Sequence, residues 1–126
     1  MLFSANAFAG WGEVADAYQL GDYKTAFDEL TVLAEQGDVD AQFNLALMYN
    51  NGKGVLKDSI EAVKWYRLSA EQGIASAQNN LGVMHSNGDG VLKDYSEAAK
   101  WFRMSAKQGY DSAQRMMLLH YLIFLL

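Results

Sequence analysis

Few residues of this chain are equipped for bond-making chemistry. Cysteine is absent, which removes the thiolate nucleophile, the thiolate metal ligand and the disulfide together. His85 and His120 are the only histidines, and they do not form a pair at metal-ligand spacing. A Ser-His-Asp set can be assembled from any chain of this length, so its mere availability says nothing. Gly52, Gly54, Gly88 and Gly90 suggest a phosphate cradle. That loop, however, lacks the Gly-Lys-Ser/Thr ending and follows a helical pattern instead of a strand. Asp22, Asp38, Asp58, Asp94 and Asp111 each open a helical segment. A carboxylate there accepts hydrogen bonds from free N–H groups and suits the positive end of the helix dipole, a structural duty. No catalytic residue, no cofactor site and no metal ligand is assigned.

The elements that position side chains are set by composition and period. At 126 residues the chain has the size of one domain. A globule of that size buries roughly 65–70% of the surface its unfolded chain exposes. Apolar residues make up 51% and charged residues 20%, which is globular and excludes disorder. Net charge is −5, and phosphate backbones call for clustered Lys and Arg, so nucleic acid is excluded as a partner. Proline is absent, so the eleven glycines carry the punctuation.

A repeat organises the chain. Gly37, Gly73 and Gly109 are spaced by 36 residues, as are Gln42, Gln78 and Gln114. Residues 38–73 and 74–109 share 21 of 36 positions without a gap. Within 38–51, Ala41, Leu45, Met48 and Tyr49 form one apolar helical face. Asn51-Gly52-Lys53-Gly54 stops that helix. Asp58 and Glu61, like Asp94 and Glu97, resemble a capping box that opens the second helix. No segment alternates with period two, so no strand is predicted. The divisions are 1–10 as an N-terminal segment, 11–37 as a shortened helix pair, 38–73 and 74–109 as full repeats, and 110–126 as an apolar terminal helix. Helices are expected at 11–20, 22–36, 38–51, 58–72, 75–87, 94–108 and from 111 onward. Trp65 and Trp101 recur in phase and are predicted to be core.

The run Ala41-Gln42, Leu45, Tyr49, Gly52-Lys53-Gly54-Val55, Asp58, Ala62, Trp65-Tyr66, Ala70, Gln72-Gly73 closely resembles the Sel-one-like repeat, a relative of the tetratricopeptide repeat. The resemblance covers about residues 22–117 and implies an all-α fold, an α/α superhelix or solenoid of antiparallel helix pairs. It implies a protein-interaction scaffold or adaptor, with neither active site nor cofactor. One branch of that family staples its repeats with disulfides, and the missing cysteines set this chain apart from it. By analogy with that branch, the alternative function is hydrolysis of a cell-wall or β-lactam-like substrate. A further alternative is a fragment of a longer repeat protein.

The face of each pair's first helix that is free of the core set, where most positions vary between copies, is the candidate binding face. It carries Phe43, Asn44, Leu47 and Asn50 in one copy and Asn79, Asn80, Val83 and Ser86 in the next, with Glu13, Asp16 and Gln19 in the shortened unit. In related helical arrays this face lines a concave groove, and extended concave surfaces are what solenoids bind with. Amides that donate and accept suit a peptide backbone. Phe43 has no packing counterpart in the other copies and is therefore read as a binding residue. The expected ligand is a protein or peptide.

Both ends depart from the repeat. Ala7-Phe8-Ala9 before Gly10 reads either as a frayed terminus or as the tail of a signal peptide. The second reading, favoured here, makes the protein exported. From Met116 to Leu126 the only polar groups are His120 and the Tyr121 hydroxyl. Eleven such residues are too few to span a bilayer, which takes about 20 as helix. A single helix ending a solenoid buries one stripe only, so this segment is expected to pair with its copy in a homodimer or with a partner protein.

Overall fold

The computed structural model describes residues 3–125, and the side chains of 10–119, 122 and 125. Seven helices and no strand occur among the described residues: α1 Phe3–Leu20, α2 Tyr23–Glu35, α3 Val39–Asn51, α4 Ser59–Glu71, α5 Ala75–Asn87, α6 Tyr95–Lys107 and α7 Asp111–Leu125. The principal packing contacts run between chain neighbours, as in a stack of antiparallel helix pairs. α1 begins upstream of residue 11, the expected start. The Trp11 Nε1 donates to Asp38 Oδ2 at 2.8 Å and ties α1 to the start of α3. The side chains of Ala7, Phe8 and Ala9 lie outside the described residues, as do those of His120, Tyr121, Ile123, Phe124 and Leu126.

The helix starts follow from carboxylate caps. Asp22, Asp38, Asp58 and Asp94 accept from backbone N–H groups of the first turn of α2, α3, α4 and α6. Such a cap is worth about 1 kcal/mol against alanine. The expected box is only half made. Glu61 and Glu97 turn to Lys64 and Lys100 at 2.6 and 2.7 Å, while the N–H groups of Asp58 and Asp94 donate to the carbonyls of Tyr49 and His85. Asp111 is no cap either, since it stands inside the first turn of α7. Its position in the repeat is one residue past the cap, as Ala75 is in α5, where the capping residue Ile74 has no side-chain bond to offer.

Burial follows the repeat, in three successive clusters. The first gathers Val14, Ala26, Leu30, Leu33, Ala41, Leu45 and Met48 from α1, α2 and α3. The second joins Ala46 of α3 to Tyr66, Leu81, Met84 and Trp101. The third holds Ala98, Phe102 and Ala113. α3 serves two clusters because a helix inside a stack is covered on two sides. Trp101 is buried at 9% exposure. Trp65 is only half-buried and packs against the first and second clusters together, so the two tryptophans are less equivalent than their phase suggests.

A polar ladder runs through these clusters. The Gln42 Nε2 donates to the Ala34 carbonyl, Gln78 to Ala70, and Gln114 to Ala106, at 3.3, 3.1 and 3.5 Å. The Oε1 of Gln42 accepts from Gln72 and that of Gln78 from Gln108, both at 2.9 Å. Ser69 and Ser105 donate to the carbonyls of Val39 and Ala75. At the opposite end of the pairs each loop rests on the preceding pair. A Cβ on Gly54 would stand 2.2 Å from the Tyr23 carbonyl oxygen, and one on Gly90 2.2 Å from that of Ser59, so only glycine fits. The Lys53 ammonium lies 4.3 Å above the Tyr23 ring at the same junction.

Two stability series test this scheme. Gln78→Ala removes its bonds to the Gln108 amide and to the Ala70 carbonyl, which keeps the Gly73 N–H as a donor, and is expected to cost about 0.5–1.5 kcal/mol, whereas Gln114→Ala, at the solvent-exposed rung, should leave the urea midpoint almost unchanged. Trp101→Ala is expected to cost about 3–5 kcal/mol, as large aromatic truncations in cores do, and Trp65→Ala distinctly less.

Candidate protein-interaction face

The variable face is built on α1, α3 and α5, the first helices of successive pairs. Glu13 and Asp16 are exposed on α1. The Glu13 carboxylate faces Glu29 of α2, and Glu29 titrates above its ordinary value, first through burial and then through the Glu13 charge and hydrogen bond. On α3 the Asn44 Nδ2 donates to the Asp40 carbonyl at 2.8 Å, which leaves its Oδ1 as the outward acceptor. Asn50, Asn80 and Ser86 are half-buried.

Four members of the face are more deeply engaged in packing than the sequence suggests. Phe43 does have a packing role: its ring stands 6.0 Å from that of Tyr66, tilted by 50°, and it lies against the second cluster with Leu47. Val83 packs against the third cluster. Asn79 occupies the place of Phe43 in the next repeat and is 5% exposed. Its Nδ2 lies 3.5 Å from Asn80 Oδ1, and its own Oδ1 has no partner among the described residues.

Tyr66 of α4 joins the two halves of the face. Its ring meets Phe43 on α3, and its buried hydroxyl lies toward Asn80 on α5 without a hydrogen-bond partner among the described residues. Burial pushes the phenol up to about 12, and the Asn80 side chain draws it partly back. The sequence carried one signal for this residue. Phe102 stands in phase with Tyr66, so the extra hydroxyl is a departure within an otherwise apolar position.

The remaining chemistry-bearing contact is that of His85 with Arg67, in the same repeat as the buried Trp101. The His85 Nε2 lies 3.3 Å from Arg67 Nη2, which makes Nε2 the acceptor and leaves the proton on Nδ1. Neither His85 Nδ1 nor the Trp101 indole N–H has a hydrogen-bond partner among the described residues. Burial lowers the His85 pKa and the Arg67 charge lowers it further, against smaller upward pulls from Glu97, Asp94 and the Leu92 backbone. This pairing has a buried neutral imidazole beside a cation and no carboxylate in contact to orient a base. Among the described residues no group of three His, Asp or Glu side chains is placed to hold a metal ion.

Comparison with known proteins bears on the fold and the repeat. A family model described as the Sel1 repeat matches residues 39–74 and 75–110. A protective antigen present in uropathogenic Escherichia coli strains, displaying an SLR fold, superposes with a TM-score of 0.75 and 41% identity over 86% of this chain and 26% of its own. A Sel1 repeat protein from Oxalobacter formigenes gives 0.80 and 36% over 94% of this chain and 49% of its own. Cysteine rich protein B of Helicobacter pylori gives 0.69 at 20% identity over 90% of this chain and 98% of its own, a likeness of fold alone. No curated protein matches the sequence. The chain thus spans about a quarter and a half of the first two structures.

The lowered His85 pKa has a consequence for stability. The folded state prefers the neutral ring, so the unfolded chain binds the extra proton first as the medium is acidified. Full stability is expected above the unfolded value of about 6.5, with loss as the pH falls from there toward the lower folded pKa. His85→Tyr, the residue that Tyr49 supplies in phase, should flatten that slope in urea midpoints measured from pH 7.5 to 5.

Proposed function

The chain belongs to the Sel1 repeat family, and on that premise we propose that it is an adaptor that holds a protein or peptide on the face formed by α1, α3 and α5. Sel1 repeat proteins are generally protein-interaction modules, and their fold is typically a non-catalytic scaffold. The observation that carries the finer reading is the Phe43–Tyr66–Asn80 contact, which sets an aromatic edge beside an amide across two repeats. The Asn44 acceptor and the half-buried Asn50 and Ser86 extend the polar side of that face. Glu13 and Asp16 add negative charge at its start. A peptide backbone would exchange hydrogen bonds with the amides while an apolar side chain rests against Phe43 and Leu47.

Export is part of the proposal. It is supported by Ala7-Phe8-Ala9 ahead of Gly10 and by similarity to a chain described as a protective antigen. Among the described residues no helix is long and apolar enough to cross a membrane. Service as one section of a longer array is supported by the share of the antigen that this chain spans. The cell-wall or β-lactam hydrolase reading has only the fold in its favour.

The test compares proteins captured by the immobilised full chain with those captured by Asn50→Ala combined with Asn80→Ala. A partner retained by the wild type is expected to fall about tenfold, or roughly 1.4 kcal/mol, with the helical circular dichroism signal unchanged. Phe43→Ala should lower capture too, but it also lowers the unfolding midpoint because the ring packs on Tyr66. Equal capture by the double amide variant would place binding elsewhere on the molecule.

A further inference from the structure

The groove between α6 and α7 is a helix seat one repeat beyond the seat that α6 itself fills. It is an open depression of about 590 Å³ lined by Arg103, Ala106 and Lys107 of α6 and by Gln114, Met117 and Leu118 of α7. Thirty-six residues earlier in the chain stand Arg67, Ala70, Glu71, Gln78, Leu81 and Gly82. There Ala70, Gln78 and Leu81 are buried. α6 covers that surface, with Phe102 on Gly82, Gln108 on Gln78, and Trp101 in the cluster of Tyr66 and Ala70. In the last groove Ala106 and Met117 are half-buried, Gln114 is exposed, and Leu118 is 62% exposed.

Two positions of this seat break the repeat, one in shape and one in charge. At the first, Ala46 and Gly82 are followed by Leu118. Gly82 is small for a reason: a Cβ there would already lie 2.7 Å from the Phe102 ring. Ala46 shares its cluster with Tyr66 in the same way. The Leu118 side chain therefore occupies the space that an aromatic residue fills in the earlier repeats. A helix with an aromatic at that point, such as Tyr66 of α4 or Phe102 of α6, does not fit. At the second, Glu35 and Glu71 are followed by Lys107. With Arg103 it gives the groove a basic wall, and neither has an acidic partner among the described residues. A two-fold copy of this chain would bring that same wall against itself, because an isologous contact pairs a patch with its own image. The protein carries net charge −5 overall, so the basic rim runs against its general character.

We propose that the α6–α7 groove docks an amphipathic helix of another protein, one with a small residue facing Leu118 and acidic residues along its edges. The seat is continuous with the interfaces that hold α4 and α6, so its occupant lies as those helices do. Apolar area on Met117 and Leu118 supplies the attraction. Arg103 and Lys107 select the acidic edge and add a salt-dependent part to the binding. This surface is separate from the Phe43–Asn80 face, so the outcome here is independent of the test of that face.

Fluorescence anisotropy with the full chain and synthetic helical peptides tests the assignment. The probe is an amphipathic peptide with alanine at its central apolar position and glutamate on both edges. Two companions carry phenylalanine at the centre or lysine on the edges. The alanine, glutamate-edged peptide is expected to bind at least tenfold more tightly than either companion and to weaken as salt is raised. Leu118→Ala restores the residue type of Ala46, and the preference should then shift at least fivefold toward the phenylalanine peptide. No binding of the first peptide, or an unaltered preference in Leu118→Ala, overturns the proposal. So does a dimer seen by sedimentation of the wild type and dissociated by Leu118→Glu, which would give the seat to a second copy.

Discussion

A buried primary amide bonded to the end of the preceding helix is the constraint on which this stack rests. The last carbonyls of any α-helix lack partners within the helix. Stacking helix pairs removes those carbonyls from water, and a buried carbonyl without a partner costs about 1–3 kcal/mol. For Ala34 and Ala70 the N–H groups of Gly37 and Gly73 supply one partner, and Gln42 and Gln78 supply a second from the next pair. Their own oxygens, buried in turn, accept from Gln72 and Gln108 of the same helix pair. One residue type thereby ties one pair to the pair before it and closes its own pair. The alanines around it must be small for the same geometry, since the amide reaches the backbone across the helix surface. Ser69 and Ser105 secure the same end. The glycine loops secure the other end by backbone contact.

Given a scaffold held at both ends, what distinguishes one repeat from another is the side chain placed at a shared position. Phe43 and Asn79 share one, and the exchange swaps an aromatic contact with Tyr66 for a buried amide. Tyr49 and His85 share another, and the exchange brings an imidazole up against Arg67. Ala46, Gly82 and Leu118 share a third, and there the change alters the shape of a helix seat. The backbone tolerates each because the ladder and the loops, and not these side chains, set the spacing of the helices. A solenoid built this way varies its surface and even single buried contacts at modest cost to the stack.

The buried polar groups show where this tolerance stops. Tyr66 Oη, Trp101 Nε1, His85 Nδ1 and Asn79 Oδ1 have no hydrogen-bond partner among the described residues. All four lie on or against α5, the helix whose own start lacks a side-chain cap. The first pair is better satisfied. Trp11 donates to Asp38, the carboxylate that also caps α3. These differences make the second full repeat the place where stability is most sensitive to protonation and to substitution.

Much of this architecture could be read from the chain alone. Period and punctuation are local: a glycine that must take positive φ, an aspartate that must cap, and an apolar face at helical spacing each act within a few residues. The spacing of 36 then multiplies a weak signal by repetition, which is why helix order, pairing and most helix limits were legible. What depended on tertiary structure is distance across the repeat. Glu61 could have closed its box and instead turned to Lys64. Phe43 looked free because its counterpart in sequence is Asn79, yet Tyr66, 23 residues on, reaches its ring. Trp65 and Trp101 keep the same phase but differ in burial, because each is covered by different neighbours. Sequence periodicity determines which residues face inward. The size and chemistry of whatever stands opposite, set by the packing of separate helices, decides whether an inward residue is core, ladder or part of a binding face.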